Sequence, residues 1–142
     1  MHVSKSAAAA WIFLTIALNA CHDAAQLPPD LFPEKIDNVW TRTDLRELPV
    51  SEAPDPVPRT AVDRLESASY KGPGEVDARV YVLTSASIGV ELVQRWRPSA
   101  DTIFFNHGRY FVVVKWQAAD RKALQDFVRE LETRLGGAVG KK

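Results

Sequence analysis

The segment that most constrains the fold is Tyr110-Phe111-Val112-Val113-Val114-Lys115-Trp116. In an extended strand, successive side chains point to opposite faces. Tyr110, Val112, Val114 and Trp116 then share one face, and Phe111, Val113 and Lys115 share the other. Both faces are mostly apolar, the pattern of a strand inside a sheet that is covered on two sides. The chain has 142 residues, of which 46% are hydrophobic and 25% charged, enough for one domain with its own core.

Flanking residues supply the rest of that sheet. Asn106-His107-Gly108 is a turn signal joining residues 102–106 to 109–117 in a hairpin. Gly72-Pro73-Gly74 joins residues 66–71 to 76–83 in the same way. In that second strand Val76, Ala78, Val80 and Val82 make an apolar face, while Asp77, Arg79, Tyr81 and Leu83 make a mixed one. Ile88, Leu92 and Trp96 recur at four-residue spacing, which predicts a helix capped by Ser85 or Ser87 and ended by Pro98. Gly89 inside this helix permits close packing. A second helix starts at the Asp120 cap and presents Ala123, Leu124, Phe127, Val128, Leu131 and Leu135 as its stripe. Glu130 and Arg134 stand at ion-pair spacing, and Gly136-Gly137 is expected to stop the helix. Residues 61–65 read as one helical turn. The expected fold class is α+β: an antiparallel sheet of four to five strands, with both helices packed on one face, in hairpin-helix-hairpin-helix order.

Seven of the nine prolines lie between residues 28 and 58. Proline removes a backbone donor and fixes φ, so residues 48–59 can be neither helix nor central strand and read as a surface loop. Residues 38–45, around Trp40, read as a short edge strand. Leu31, Phe32 and Ile36 are expected to dock an N-terminal arm onto the domain.

At the N-terminus Lys5 precedes an apolar run over residues 7–18. A basic start and about a dozen apolar residues form an export-signal pattern. The run is shorter than the ~20 residues a membrane span needs. A standard secretory cut after Ala20 would place the large Leu18 where a small residue is required. Leu18-Asn19-Ala20-Cys21 instead resembles the bacterial lipobox. That resemblance implies that the Cys21 thiol receives diacylglycerol, that the signal is cut ahead of Cys21, and that the new amino group is acylated. Several acyl chains make a stable anchor, since each buried CH₂ contributes about 0.8 kcal/mol. His22, where an Asp would mark inner-membrane retention, favours the outer membrane. The expected division is a signal peptide over 1–20, lipidated Cys21 and a proline-rich tether over 21–35, an extended arm and loop over 36–59, the α+β domain over 60–137 and a tail over 138–142. Residues 28–135 also resemble small exported bacterial proteins of unknown function. The resemblance rests on Leu27-Pro28 ahead of Trp40, on Val80-Tyr81-Val82-Leu83-Thr84-Ser85, and on Arg109-Tyr110-Phe111-Val112-Val113.

Little in the chain points to chemistry beyond Cys21. Of 18 basic residues one, Lys5, precedes Cys21, which leaves 17 basic against 18 acidic residues in the mature part. That balance gives no footprint for nucleic acid. One cysteine makes neither an intramolecular disulfide nor a cysteine-type zinc site. His107 at a turn tip reads as structural or solvated, and Arg95, Arg97 and Arg109 read as a solvated edge that is able to hold an anion. No nucleophile-elbow, Walker or dinucleotide motif occurs, and no cofactor, metal or catalytic residue is expected. Trp40, Trp96, Trp116, Tyr81, Phe104 and Phe111 are many aromatics for so small a domain. With both helices on the Tyr110 face, Phe111 and Val113 need cover from the arm, from a second copy or from a protein partner. Two functions follow. One is a non-enzymatic envelope lipoprotein facing the periplasm or cell exterior, whose domain binds or assembles through an apolar sheet face or aromatic cleft. The other is an exported enzyme or small-ligand carrier whose polar groups meet only in three dimensions. An exposed apolar sheet face marks the first, and a concave pocket with converging polar groups marks the second.

Overall fold

The computed structural model describes residues 26–97 and 99–139. Six antiparallel strands form one sheet in the order β1-β2-β3-β4-β6-β5. They are β1 (Lys35–Ile36), β2 (Trp40–Leu48), β3 (Val62–Gly72), β4 (Gly74–Leu83), β5 (Thr102–His107) and β6 (Tyr110–Gln117). Helix α1 (Ala86–Arg95) joins β4 to β5, and α2 (Arg121–Val139) follows β6. Two short 3-10 turns, Val50–Glu52 and Arg59–Ala61, bracket the proline-rich loop between β2 and β3. The class is therefore α+β, and one strand more is present than expected. The extra strand, β1, has only two residues, too few to leave a periodic signal.

β6 lies between β4 and β5, as its two apolar faces require. The β5–β6 reversal is one residue later than the turn signal implied. His107 pairs with Tyr110, and Gly108-Arg109 make a two-residue turn with Gly108 at φ +57°. The β3–β4 hairpin closes at Gly72↔Gly74. Residues 61–65 are not a helical turn: the 3-10 turn ends at Ala61, and β3 begins at Val62. Val62 and Leu65 are apolar and buried, so pairing with β4 outweighs local helical tendency.

The two helices lie on opposite faces of the sheet, which corrects the expected one-sided arrangement. On one face Val76, Ala78, Val80 and Val82 of β4 and Tyr110, Val112 and Val114 of β6 pack beneath Leu124, Phe127, Leu131 and Leu135 of α2. Leu31, Phe32, Ile36 and Trp40 complete this core. On the other face Tyr81, Leu83, Phe111 and Val113 meet Leu92 of α1, with Ile88 and Trp96 beside it. Ala53 and Val57 of the proline-rich loop seal the remainder. The physical reason is in β6: Phe111 and Val113 are as deeply buried as Tyr110 and Val112. Each face needs its own cover, and the stripe Ile88-Leu92-Trp96 supplies the second. The arm, with Phe32 and Trp40, covers the α2 side instead.

That arm is docked from its first described residue. The Tyr110 hydroxyl donates to the Gln26 carbonyl at 2.8 Å, Tyr70 to Pro33 at 2.7 Å, and Arg134 Nη1 to Asp30 at 2.7 Å. Arg42 reaches the Phe32 carbonyl. Within 26–35, therefore, the tether is part of the fold. α2 starts as expected: an Asp120 carboxylate oxygen accepts the Ala123 backbone N–H at 2.9 Å. The helix runs past Gly136-Gly137 to Val139, because Leu131 and Leu135 remain fully buried and hold the last turns down.

Candidate functional site

Cys21, the one site residue expected from sequence, lies outside the described residues. His107 ends β5, half-buried, with its ring beside Gly136 of α2. Arg109 is a structural tie: its Nε donates to the Leu83 carbonyl at 2.8 Å, and its Nη2 meets Asp63 at 2.8 Å. Arg95 and Arg97 are exposed at the end of α1. The structure does not bring these four residues into one site.

The aromatics divide between the two cores. Trp40 and Tyr70 meet Phe127 edge-on at 5.7 and 5.1 Å between ring centroids. Trp96 packs on Phe111 at 5.3 Å and on Phe104 at 6.0 Å. The apolar sheet face expected to await a partner is covered. Among the described residues the exposed large apolar side chains are Val39, Leu45, Val90 and Val93, scattered over the β1–β2 turn, β2 and α1.

One cleft is built from the sheet itself. On the α1 face, strand register sets side chains in cross-strand rows. Leu48, Leu65, Tyr81 and Phe111 form an apolar row beneath the proline-rich loop and α1. The next row reads Arg46, Ser67, Arg79, Val113 and Phe104, and the one beyond it Asp44, Ser69, Asp77, Lys115 and Thr102. The face thus changes from apolar to polar across the middle of the sheet. Covers seal only the apolar half. Where the cover ends, Pro54 and Asp55 form one wall and Trp96 the other, around a cleft of about 570 Å³. Arg79, Ser67, Tyr81 and Val113 lie on its floor, and Arg46, Asp77 and Lys115 also line it.

Its electrostatics are uneven. Asp77 accepts a hydrogen bond from Ser69, and Arg46 pairs with Asp44 at 2.7 Å. Burial pushes the Tyr81 phenol above its ordinary range, opposed in part by the charge and hydrogen bond of the neighbouring Arg79. Tyr81 is therefore a neutral hydroxyl at physiological pH. Arg79, half-buried, and Lys115, exposed, make no ion pair among the described residues.

A second, more open groove of about 450 Å³ lies between α2 and the β1–β2 turn. Both of its cations are paired: Lys122 and Arg129 meet Asp126 at 2.8 and 3.5 Å, and Glu130 on its rim meets Arg134 at 2.9 Å. Among the described residues no group of three or more His, Cys, Asp or Glu is placed to hold a metal ion.

The cleft residues carry no sequence motif. The one signal was the mixed face of β4, Asp77-x-Arg79-x-Tyr81, beside a strand apolar on both sides. Pairing of β4 with its neighbours brings Ser67 and Lys115 to it, which no local spacing foretells. Comparison with protein-family models, with curated proteins and with solved structures finds no match to this chain.

Proposed function

We propose that this protein is an envelope lipoprotein, anchored through lipid on Cys21, whose α+β domain binds a small polar molecule in the cleft over Arg79. The observation that carries the reading is the half-sealed sheet face. Apolar side chains on both faces are covered by α1, α2, the arm and the proline-rich loop. The open remainder is concave and lined by convergent polar groups, with Trp96 as an apolar wall. A cleft of about 570 Å³ is in the size range of small-molecule sites. Binding through an apolar sheet face loses support, because no such face is open among the described residues.

The anchor rests on Leu18-Asn19-Ala20-Cys21 after an apolar run. Among the described residues no helix is long and apolar enough to cross a membrane. The docked arm makes the leash short. Four residues separate Cys21 from Gln26, a reach of at most roughly 18 Å. Outer-membrane placement, facing the periplasm or the exterior, belongs to the same proposal.

Native mass spectrometry of the chain purified from its own membranes tests the binding function. A small-molecule adduct beyond the acyl mass is expected on the wild type and absent from Ser69→Trp, which fills the cleft. No adduct on the wild type, or the same adduct on Ser69→Trp, contradicts the reading.

A further inference from the structure

Three cations, Arg46, Arg79 and Lys115, and two carboxylates, Asp55 and Asp77, line the cleft. Arg46 is held by Asp44. Arg79 and Lys115 have no carboxylate within 4.0 Å among the described residues. Asp77, directly opposite Lys115 in the register, accepts the Ser69 hydroxyl and keeps its charge, and Asp101 also feels the Lys115 charge, so Arg79 is the cation least compensated by carboxylates. The β4–β6 register sets Arg79 opposite Val113 and Asp77 opposite Lys115, so Arg79 and Lys115 are diagonal neighbours on one face. Diagonal positions are about 7–8 Å apart, within reach of two long side chains closing on one group.

Arg79 also sits where a cation without a carboxylate partner is costly to keep; its hydrogen bond to the Tyr81 phenol is to a neutral group. It is half-buried on β4, with three strands on one side of it in the sheet order and two on the other. A guanidinium does not shed its proton, so it loses hydration there without becoming neutral. Its fork of donors points to a planar or tetrahedral oxyanion, the partner that guanidinium geometry fits best. Ser67, paired across the strand with Arg79, offers a hydroxyl on the same row. Trp96 and Val113 make the cleft apolar on the α1 side.

We infer that the cleft takes a small oxyanion-bearing molecule, a carboxylate or phosphate monoester with a flat apolar part. The oxyanion sits between Arg79 and Lys115, and the apolar part lies against Trp96. This rests on the cleft being the ligand site and adds the chemistry of the ligand.

The test is ¹H–¹⁵N chemical-shift mapping of the full chain in detergent, titrated separately with benzoate, phenyl phosphate and phenethylamine. Saturable shifts at Arg79, Lys115 and Trp96 are expected with an anion and not with the amine. Benzoate against phenyl phosphate separates carboxylate from phosphate. Arg79→Met should weaken anion binding about tenfold or more, as loss of a charge-assisted contact does. Lys115→Met, at an exposed position, should weaken it by a smaller factor and serves if Arg79→Met fails to fold. Arg129→Met, in the α2 groove, should leave it unchanged. Cleft shifts with phenethylamine alone overturn the oxyanion assignment and leave the cleft as the ligand site. No cleft shift with any of the three, or anion binding untouched by both cleft variants, overturns the inference.

Discussion

The Tyr110 hydroxyl donates to the Gln26 carbonyl at 2.8 Å, tying β6 to a residue 84 positions away in the chain. Tyr110 is 6% exposed, and Leu27, Leu31 and Phe32 of the same arm pack on the core beside it. The arm is thus held by both burial and hydrogen bonds, and the two contributions separate by mutation. Tyr110→Phe should cost about 1 kcal/mol, the net worth of one hydrogen bond, and raise amide exchange over residues 26–30. Leu31→Ala should cost about 2–5 kcal/mol, because it leaves a cavity under the arm. Denaturant melts check both values.

Phe127 is the largest single expectation for the α2 core. It is fully buried and receives Trp40 and Tyr70 edge-on. Phe127→Ala should cost about 3–5 kcal/mol, since it removes transfer free energy and opens a void between two aromatic rings. Thermal unfolding of the variant reads the loss directly.

The two left-handed glycines at the hairpins are not equivalent. A Cβ on Gly74, at φ +143°, would lie 2.5 Å from the Ala119 backbone. At Gly108, φ +57°, it would meet nothing within 4 Å. Gly108→Ala should therefore cost about 1 kcal/mol from φ alone. Gly74→Ala should cost more than that, because the chain leaving β6 must also move. Equal losses in equilibrium unfolding would contradict the contrast.

Alkali should unfold the domain through its phenols. Burial raises the pKa of Tyr70 against the opposing pull of Arg42 and Arg134, and burial raises that of Tyr81 against Arg79. A raised folded pKa means that the native state holds the proton more tightly than the unfolded chain. The stability this gives is fully present below the unfolded value of about 10 and is lost as pH rises above it. Phenolate absorbance from these two residues should thus appear together with loss of far-ultraviolet circular dichroism. Early, non-cooperative ionisation of both would contradict their burial.

The anchor makes its own prediction. A palmitate analogue fed to cells should label the wild-type chain and not Cys21→Ser. The variant should stay uncleaved or leave the membrane fraction. A Cys21→Ser chain of mature size that still fractionates with membranes would refute lipidation at this residue.

Much of the fold was legible where a single strand or helix decides it. The alternation over Tyr110–Gln117 marked an interior strand, Asp120 marked a helix start, and Glu130–Arg134 marked an ion pair that stands at 2.9 Å. The side of the sheet each helix takes was not legible, because the stripe Ile88-Leu92-Trp96 is complementary to either apolar face of β6. The cleft was hidden for a related reason. Arg79 looks like any polar residue on a mixed strand until the register places Ser67 and Val113 beside it and the proline-rich loop stops short of covering it. Such a site is written in pairings far apart in sequence, which periodicity does not encode.

The side-chain Nε–H resonance of Arg79 tests the cleft most directly, followed as benzoate and then phenyl phosphate is added to the full chain. A saturable shift with at least one of them, weakened by salt and by Lys115→Met, is the predicted result. An unmoved Arg79 resonance, with shifts confined to the α2 groove around Lys122 and Arg129, would contradict it.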